Sequence, residues 1–219
     1  LRGQGTIKIV PIMRNRDTGA IELAETMERE ALFRALERSL MEDLRPSIAL
    51  EALFAGAVPP EFEPLRRMKT TAQSPVHHPE GNVWNHTMLV VDEAAKRRGA
   101  LMWAALLHDV GKPDTTRVRR GKITSYGHET LGAELARRFL QRFSADQDLI
   151  GRVCALIRYH MQVLFVGKGM PFADVNGMRE NADLEEVALL GLCDRMGRLN
   201  ADAEQEAENI RIFLERCGR

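Results

Sequence analysis

The stretch ALMWAALLHDVGKP, residues 100–113, decides how this chain folds. Its first eight residues are all apolar, which is typical of a helix that is buried on every side. Gly111 and Pro113 favour the end of this helix, so His108 and Asp109 are predicted to lie at that end. Adjacent side chains on a helix point about 100° apart, and these two can converge on one ion only where the helix stops.

Other apolar or amphipathic stretches carry side chains of the same kind, namely His86, His128, His160 and Asp194. An imidazole or a carboxylate that is buried without a partner costs free energy, so these positions call for an explanation. With the His-Asp pair they offer nitrogen and oxygen donors and no thiolate. That donor set suits one or two divalent ions used for hydrolysis, and it argues against a structural zinc site.

The remaining pattern predicts an all-α helical bundle. Apolar residues at three- and four-residue steps indicate helices over residues 20–44, 128–143, 146–160 and 183–198, and a Glu-rich surface helix over about 201–217. Residues 165–181 are glycine-rich and predict an exposed loop with a short helix near the site. The β-prone residues 5–13 predict a short N-terminal hairpin or edge strand.

Charge and cysteine content limit the choice of partners and compartment. Lys+Arg and Asp+Glu are both 31, so the net charge does not support binding to RNA, although Arg117, Arg119, Arg120 and Lys122 form a local basic patch. Cys154, Cys193 and Cys217 are scattered and odd in number, which favours reduced thiols and a cytoplasmic protein. The apolar runs are short and no signal peptide is visible, so no membrane association is predicted.

The motif His108-Asp109-Val110-Gly111-Lys112, with a histidine before it and Asp194 after it, closely resembles the HD superfamily of metal-dependent phosphohydrolases. Three further segments are similar to the HD domain of bacterial tRNA nucleotidyltransferases, the CCA-adding enzymes. They are HPEGNVWNHT at 78–87, YGHE at 126–129 and CDRMGR at 193–198. This resemblance covers about residues 45–200. It implies an HD-domain helical bundle over residues 46–219, preceded by the strand or hairpin and a leading helix in residues 1–45.

In the CCA-adding enzymes a nucleotidyltransferase head, with a Gly-Ser motif and two catalytic aspartates, precedes this domain. Residues 1–45 are too short for such a head and contain no such pair. The chain as given is therefore expected to resemble the HD part standing alone, and not to add nucleotides to tRNA.

The resemblance implies that His86, His108, Asp109 and Asp194 hold a first metal ion. The positions of His128 and His160 bind a second ion in two-metal members and face the substrate phosphate in one-metal members, so the number of ions stays open. The ions expected are Mn, Ni, Co, Fe or Zn. Mg is less favoured, because histidine-rich ligand sets prefer the later transition metals.

Two residues are interpreted as catalytic. Asp109 would orient or deprotonate the attacking water, and Lys112 would neutralise a phosphate oxygen as charge develops. Arg195 and His78, with Lys112, are the candidates for substrate binding. Each has an ordinary alternative: Lys112 as a solvated residue after a helix end, Arg195 as an ion-pair partner of Asp194, and His78 as a loop residue.

The function predicted first is hydrolysis of a small-molecule phosphate ester or nucleotide by metal-activated water, as a phosphodiesterase or a phosphatase. A 2′,3′-cyclic nucleotide is the first substrate to test. One alternative is a noncatalytic HD module that binds metal, nucleotide or RNA. The other is a di-iron oxygenase, which would use a two-metal ligand set of the same kind. The oligomeric state is left open.

Overall fold

The chain folds mostly into helices, as the sequence predicts. The computed structural model describes residues 16–218 apart from 96, 98 and 145, with side chains from residue 25 onward. The helices are α1 Arg16–Glu42, α2 Pro46–Leu53, α3 Glu63–Met68, α4 Val83–Ala94, α5 Ala100–Leu107, α6 Lys112–Thr115, α7 His128–Leu140, α8 Gln147–Tyr159, α9 Gln162–Gly167, α10 Val175–Asn181, α11 Leu184–Met196 and α12 Ala203–Cys217. A 3₁₀ turn, Pro60–Phe62, precedes α3. The all-α class is confirmed.

Helix α5 is the centre of the bundle. All eight of its residues are buried, and it contacts α1, α4, α8 and α11. A helix enclosed in this way has no surface on which a polar residue could be solvated, which explains the uninterrupted apolar run. The helix ends at Leu107, and residues 108–111 form a turn before α6. The predicted helix end at the His-Asp pair is therefore present.

Helix α1 joins the same core as the rest of the bundle. Phe33 stacks on Trp103 of α5 with ring centroids 5.3 Å apart, and on Phe143 at 4.3 Å. Leu36 and Leu40 are also buried. The strand or hairpin predicted at residues 5–13 lies outside the described residues. The division into residues 1–45 and 46–219 stays a prediction.

A small antiparallel hairpin, which the sequence analysis did not predict, lies between α6 and α7. Its strands are β1 Arg117–Arg119 and β2 Lys122–Thr124, and Arg119 pairs with Lys122 at the turn. Arg120 and Gly121 both have positive φ, 49° and 74°, as a tight two-residue hairpin turn requires. Three residues per strand are too few for alternating polarity to be recognised. The predicted basic patch is carried by this exposed hairpin.

Residues 147–167, which include α8 and α9, are long and apolar enough to span a membrane by length and composition alone, and contain an 18-residue window with a mean hydropathy of 1.4. More than half of this window, 56%, is buried inside the protein. Helix α8 packs against α5 and α7. Core helices commonly pass the same test, so the observation is weak evidence for a membrane segment.

The turn after α5 lies directly against the first turn of α7 at Gly111. A Cβ atom there would lie 2.3 Å from the backbone oxygen of His128 and 2.8 Å from the backbone nitrogen of Gly132. Gly111→Ala is therefore expected to lower the free energy of unfolding by about 1–3 kcal/mol, because α7 must move away. This contact also sets the position of His128 relative to Asp109.

Urea unfolding of the metal-free protein measures this effect, with Gly151→Ala on α8 as the matched control. Nothing lies within 4 Å of a Cβ atom added at Gly151, so that change is expected to be neutral or to stabilise by up to about 1 kcal/mol. Equal unfolding midpoints for the two variants would show that the backbone contact at Gly111 is relaxed at little cost.

Candidate metal centre

Six side chains from five parts of the fold meet in the interior of the bundle. They are His86 on α4, His108 and Asp109 after α5, His128 at the first position of α7, His160 after α8 and Asp194 on α11. All six are buried, and Asp109 is only 1% exposed. The structure thus brings together every residue that the sequence analysis assigned to metal binding.

Three of the histidines share one hydrogen-bond pattern. The Nδ1 atoms of His108, His128 and His160 lie 2.9, 2.7 and 2.7 Å from backbone carbonyl oxygens three residues earlier in the chain. A carbonyl oxygen only accepts, so each Nδ1 carries the proton and donates it. Each Nε2 then keeps its lone pair, which is the form in which imidazole binds a metal ion.

His86 is held between two carboxylates. Its Nδ1 lies 2.9 Å from Glu80 Oε1, and its Nε2 lies 2.8 Å from Asp194 Oδ1. Burial lowers the pKa of His86, but the hydrogen bonds to Asp194 and Glu80 outweigh this effect and raise the pKa overall. A carboxylate behind a metal-binding histidine is a common arrangement, since it orients the ring and increases its basicity.

Asp109 belongs to two groups of mutually close ligand atoms. One group is His86, His108 and Asp109, and the other is Asp109, His128 and His160; in each, the ligand atoms lie within 4.8 Å of one another. Asp194 is close to the first group, with Oδ1 4.0 Å from His108 Nε2. Asp109 Oδ1 lies 3.4 Å from His128 Nε2. A carboxylate shared in this way is suited to bridge two ions.

Several polar atoms at this place are buried without an aligned hydrogen-bond partner. Among the described residues these include His108 Nε2 and both carboxylate oxygens of Asp109. Lys112 Nζ lies 2.6 Å from Asp109 Oδ2 and balances its charge, but it leaves Oδ1 and His108 Nε2 unpaired. Buried polar atoms normally find partners, so the donor set fits a divalent ion at this position.

The charges at the centre keep both aspartates ionised. Burial raises the pKa of Asp109, but its interactions with the His108 ring and the Lys112 ammonium group outweigh burial and hold the pKa well below its usual range. The pKa of Asp194 is likewise held well below its usual range, because Arg198 and His86 outweigh burial. Arg198 reaches Asp194 Oδ2 at 3.7 Å. Both carboxylates are therefore available as anionic ligands at neutral pH.

The centre opens into a pocket of about 860 Å³. Asp109, His128, His160 and Asp194 lie at its inner end, together with Lys112. Lys112 donates to Gln73 Oε1 at 2.6 Å, and this contact holds the ammonium group beside Asp109. A ligand that enters the pocket therefore meets carboxylates, imidazoles and one ammonium group at its inner end.

Comparison with known families decides the assignment. Residues 81–199, more than half of the chain, match the HD domain family. The chain belongs to the HD domain family. The matched range contains all six side chains of the candidate metal centre. The resemblance noted from the motif at residues 108–112 is confirmed, and the family implies the metal-dependent phosphohydrolase superfamily.

The HD domain described here is also similar to proteins named Multifunctional CCA protein. The one from Halorhodospira halophila is 35% identical over 199 residues, which cover 86% of this chain and 47% of that protein. The one from Variovorax paradoxus is 31% identical over 200 residues, which cover 87% of this chain and 47% of that protein. The one from Aromatoleum aromaticum is 36% identical over 137 residues, which cover 60% of this chain and 32% of that protein. The chain thus spans about half the length, or less, of the curated relatives it matches.

The structure separates the three residues predicted to bind substrate. Lys112 lies at the inner end of the pocket. His78 also lines the pocket, with Nδ1 2.9 Å from Glu80 Oε1. Arg195 does not join them, because its guanidinium group pairs with Glu206 of α12 at 3.2 Å. Arg198, two residues after the end of α11, lies beside Asp194 and lines the pocket instead.

Two residues of the HD domain's centre were missed by the sequence analysis, Glu80 and Arg198. Glu80 lies within 2.9 Å of both His78 and His86, and its side chain is 2% exposed. Burial raises the pKa of Glu80, but the hydrogen bonds, led by that with His86, lower it to about 2. The signal available in the sequence was a carboxylate two residues after His78 and six before His86.

The metal-free HD domain is expected to lose stability as the pH falls from about 7 to 5. Burial lowers the pKa of His128 to about 3 and that of His78 to about 4, and it lowers the pKa of His160 too. Unfolded histidine titrates near about 6.5, so below that pH the unfolded chain binds more protons than the folded one. The stability due to these groups is complete above about pH 6.5 and is lost in acid.

His86 acts in the opposite sense, because its pKa is raised in the folded protein. Its contribution is complete below about pH 6.5 and is lost at higher pH. The lowered pKa values are expected to dominate over the raised pKa of His86, since those of His128 and His78 fall to about 3 and about 4. The Tm of chelator-treated protein, measured from pH 5 to 8, should fall on the acid side, and less steeply in His128→Gln. A Tm that rises toward pH 5 would contradict this expectation.

Proposed function

We propose that this HD domain is a metal-dependent phosphohydrolase that acts on a nucleotide-like phosphate ester, with a 2′,3′-cyclic nucleotide as the first substrate to test. The observation that carries the proposal is Asp109. It is a buried, ionised carboxylate that is shared by two groups of ligand atoms at the inner end of an open pocket. Such a centre brings ions and a phosphate group into contact.

A divalent ion held by these residues would lower the pKa of a water molecule and polarise a phosphoryl oxygen. Side chains of the protein would supply the other interactions with the water and the phosphate group. Asp109 accepts a hydrogen bond from the attacking water and orients it. Lys112, held beside Asp109 by Gln73, neutralises a phosphate oxygen as negative charge develops there. Arg198, which already faces Asp194 at the pocket, is a second cation for the phosphate group.

The residues that would hold ions divide into two sets with Asp109 in common. His86, His108, Asp109 and Asp194 are proposed for the first ion, and Asp109, His128 and His160 for the second. Mn, Ni, Co, Fe and Zn are the ions proposed, since imidazole nitrogens prefer later transition metals to Mg. The Nε2 lone pairs that the Nδ1 hydrogen bonds leave on three histidines support this assignment.

Two other functions remain as alternatives of lower rank. A noncatalytic HD module would be expected to have lost one or more of the ligands, whereas all six are present and buried together. A di-iron oxygenase would use a similar ligand set, but the Lys112 ammonium beside Asp109 is better suited to a phosphate group. The partner proposed is a small phosphate ester or nucleotide. A cytoplasmic location is part of the proposal, supported by three unpaired, buried cysteine thiols.

The experiment that tests the proposal is hydrolysis of 2′,3′-cyclic AMP by the purified protein with Mn²⁺ or Ni²⁺ added. Turnover that is abolished by a chelator and restored by the ion is the expected result. No turnover in protein with confirmed bound metal would overturn the cyclic-nucleotide assignment, and nucleoside monophosphates would be tested next. No turnover with either class would favour the binding module.

A further inference from the structure

The pocket has a second end whose chemistry differs from that of the metal centre. Its lining includes the apolar side chains of Phe165, Met170 and Phe172, here called the apolar wall, which are more exposed than the buried metal-centre residues and so lie toward solvent. Phe172 is 60% exposed, and its ring meets that of Phe165 edge to face with centroids 5.7 Å apart. Tyr126, from the segment after β2, lines the same pocket and is 80% exposed.

The apolar wall is held in place by a buried amide. Gln162, which is 2% exposed, donates to the Phe172 carbonyl oxygen at 3.4 Å and accepts from the Asp174 backbone N–H at 2.8 Å. The Met170 backbone N–H donates to the Phe165 carbonyl oxygen at 2.8 Å. These bonds fix both ends of the segment that presents Phe172. An exposed aromatic ring on a fixed segment at a pocket is a feature of ligand sites.

We infer that the apolar wall binds the nucleobase of the substrate, with Phe172 as the residue on which the base stacks. This inference rests on the proposed function, because it places the phosphate group at the metal centre and the base at the outer end. A bare phosphate or a small sugar phosphate needs no apolar surface. A pocket of about 860 Å³ with a polar inner end and an aromatic outer end fits a whole nucleotide.

The inference specifies the substrate class more narrowly than the metal centre does. Every nucleobase has a π face, so stacking discriminates weakly among bases but strongly against a substrate that has none. The kcat/KM values for 2′,3′-cyclic AMP, GMP, CMP and UMP are expected to lie within about tenfold of one another, with purines ahead. The base-free analogue, methyl riboside 2′,3′-cyclic phosphate, is expected to be hydrolysed about 5- to 150-fold less efficiently than 2′,3′-cyclic AMP.

The decisive experiment compares variants of Phe172 on this pair of substrates with Mn²⁺ present. Phe172→Ala is expected to lower kcat/KM for 2′,3′-cyclic AMP about 5- to 150-fold and to leave the base-free analogue unchanged. Phe172→Leu keeps an apolar side chain without a π face and should also lose efficiency, whereas Phe172→Tyr should retain it. The control is Ile48→Ala on α2, which removes another exposed apolar side chain, 65% exposed, that does not line the pocket.

Equal losses on both substrates would overturn the inference, since the segment would then act on the metal centre. Unchanged kinetics in Phe172→Ala would overturn it as well. If the wild-type protein hydrolyses neither substrate, calorimetric binding of AMP and ribose 5-phosphate to the Mn²⁺-loaded protein decides. If AMP binds more tightly than ribose 5-phosphate and Phe172→Ala removes this difference, the result supports base binding at the apolar wall and refutes only the proposed hydrolase activity. Equal affinity for AMP and ribose 5-phosphate would overturn the inference that the apolar wall binds the base.

Discussion

Asp109→Ala is expected to abolish hydrolysis, with a loss in kcat of more than about 100-fold. Replacing a residue that only supports a metal ligand lowers metal affinity or activity by about 10- to 100-fold. Asp109 would contact the ions directly, so a larger loss is expected. Its two oxygens are also the buried acceptors that both ligand groups share. Loss of the side chain thus removes one ligand from each group and the group that orients the water.

The matched control for this prediction is Asp114→Ala. Asp114 is five residues further along the chain, and its exposed carboxylate pairs with Arg67 at 2.6 Å outside the metal centre. Turnover and metal content of this variant should equal those of the wild-type protein. Metal content, measured by emission spectrometry after dialysis, should fall only in Asp109→Ala. Activity within a few-fold of wild type in Asp109→Ala would contradict the proposed centre.

Replacing His128 and His160 together with alanine is expected to lower the metal content from two ions per chain to one. The Nε2 atoms of these residues lie 3.3 Å apart, and His128 Nε2 lies 3.4 Å from Asp109 Oδ1, so one ion would be shared by the three side chains. The first group, with His86, His108 and Asp194, would keep its ion. Turnover is expected to fall by more than about 100-fold, because the second ion would polarise the phosphate group.

The control for this variant is His77→Ala, an exposed histidine at the pocket that belongs to neither ligand group. It should keep two ions per chain. A wild-type protein with a single ion would contradict the two-ion interpretation. In that case His128 and His160 would face the substrate phosphate, and their replacement would raise KM while the single ion stays bound.

Local patterns of the sequence were sufficient for the fold class and for the list of candidate ligands. The apolar run of α5 predicts a helix enclosed by others, because an exposed face would need polar residues. Gly111 and Pro113 after it predict that the His-Asp pair lies where side chains can converge. The hairpin of β1 and β2 escaped prediction, since three-residue strands carry too little periodicity and their stability depends on the turn at Arg120-Gly121.

Which residues contact the candidate ligands Asp194 and His86 could be recognised only from the folded chain. Arg195 and Arg198 are both cations near Asp194 in sequence. Only the packing of α11 and of the turn after it decides that Arg198 lines the pocket while Arg195 pairs with Glu206 of α12. Glu80 could be recognised as the partner of His86 only when the loop before α4 was placed against it. Such contacts depend on how elements pack, which local periodicity does not encode.

The sequence determined that the chain is a helical HD domain and which six side chains are candidates for metal ligands, because helix periodicity and a contiguous motif are local properties. Only the tertiary structure decided that Asp109 lies between two ligand groups and that three histidines present their Nε2 atoms to the same place. Those relations join residues that are far apart in the chain. They arise from the packing of α4, α8 and α11 around α5 and of α7 against α8, where burial in the core sets the distances.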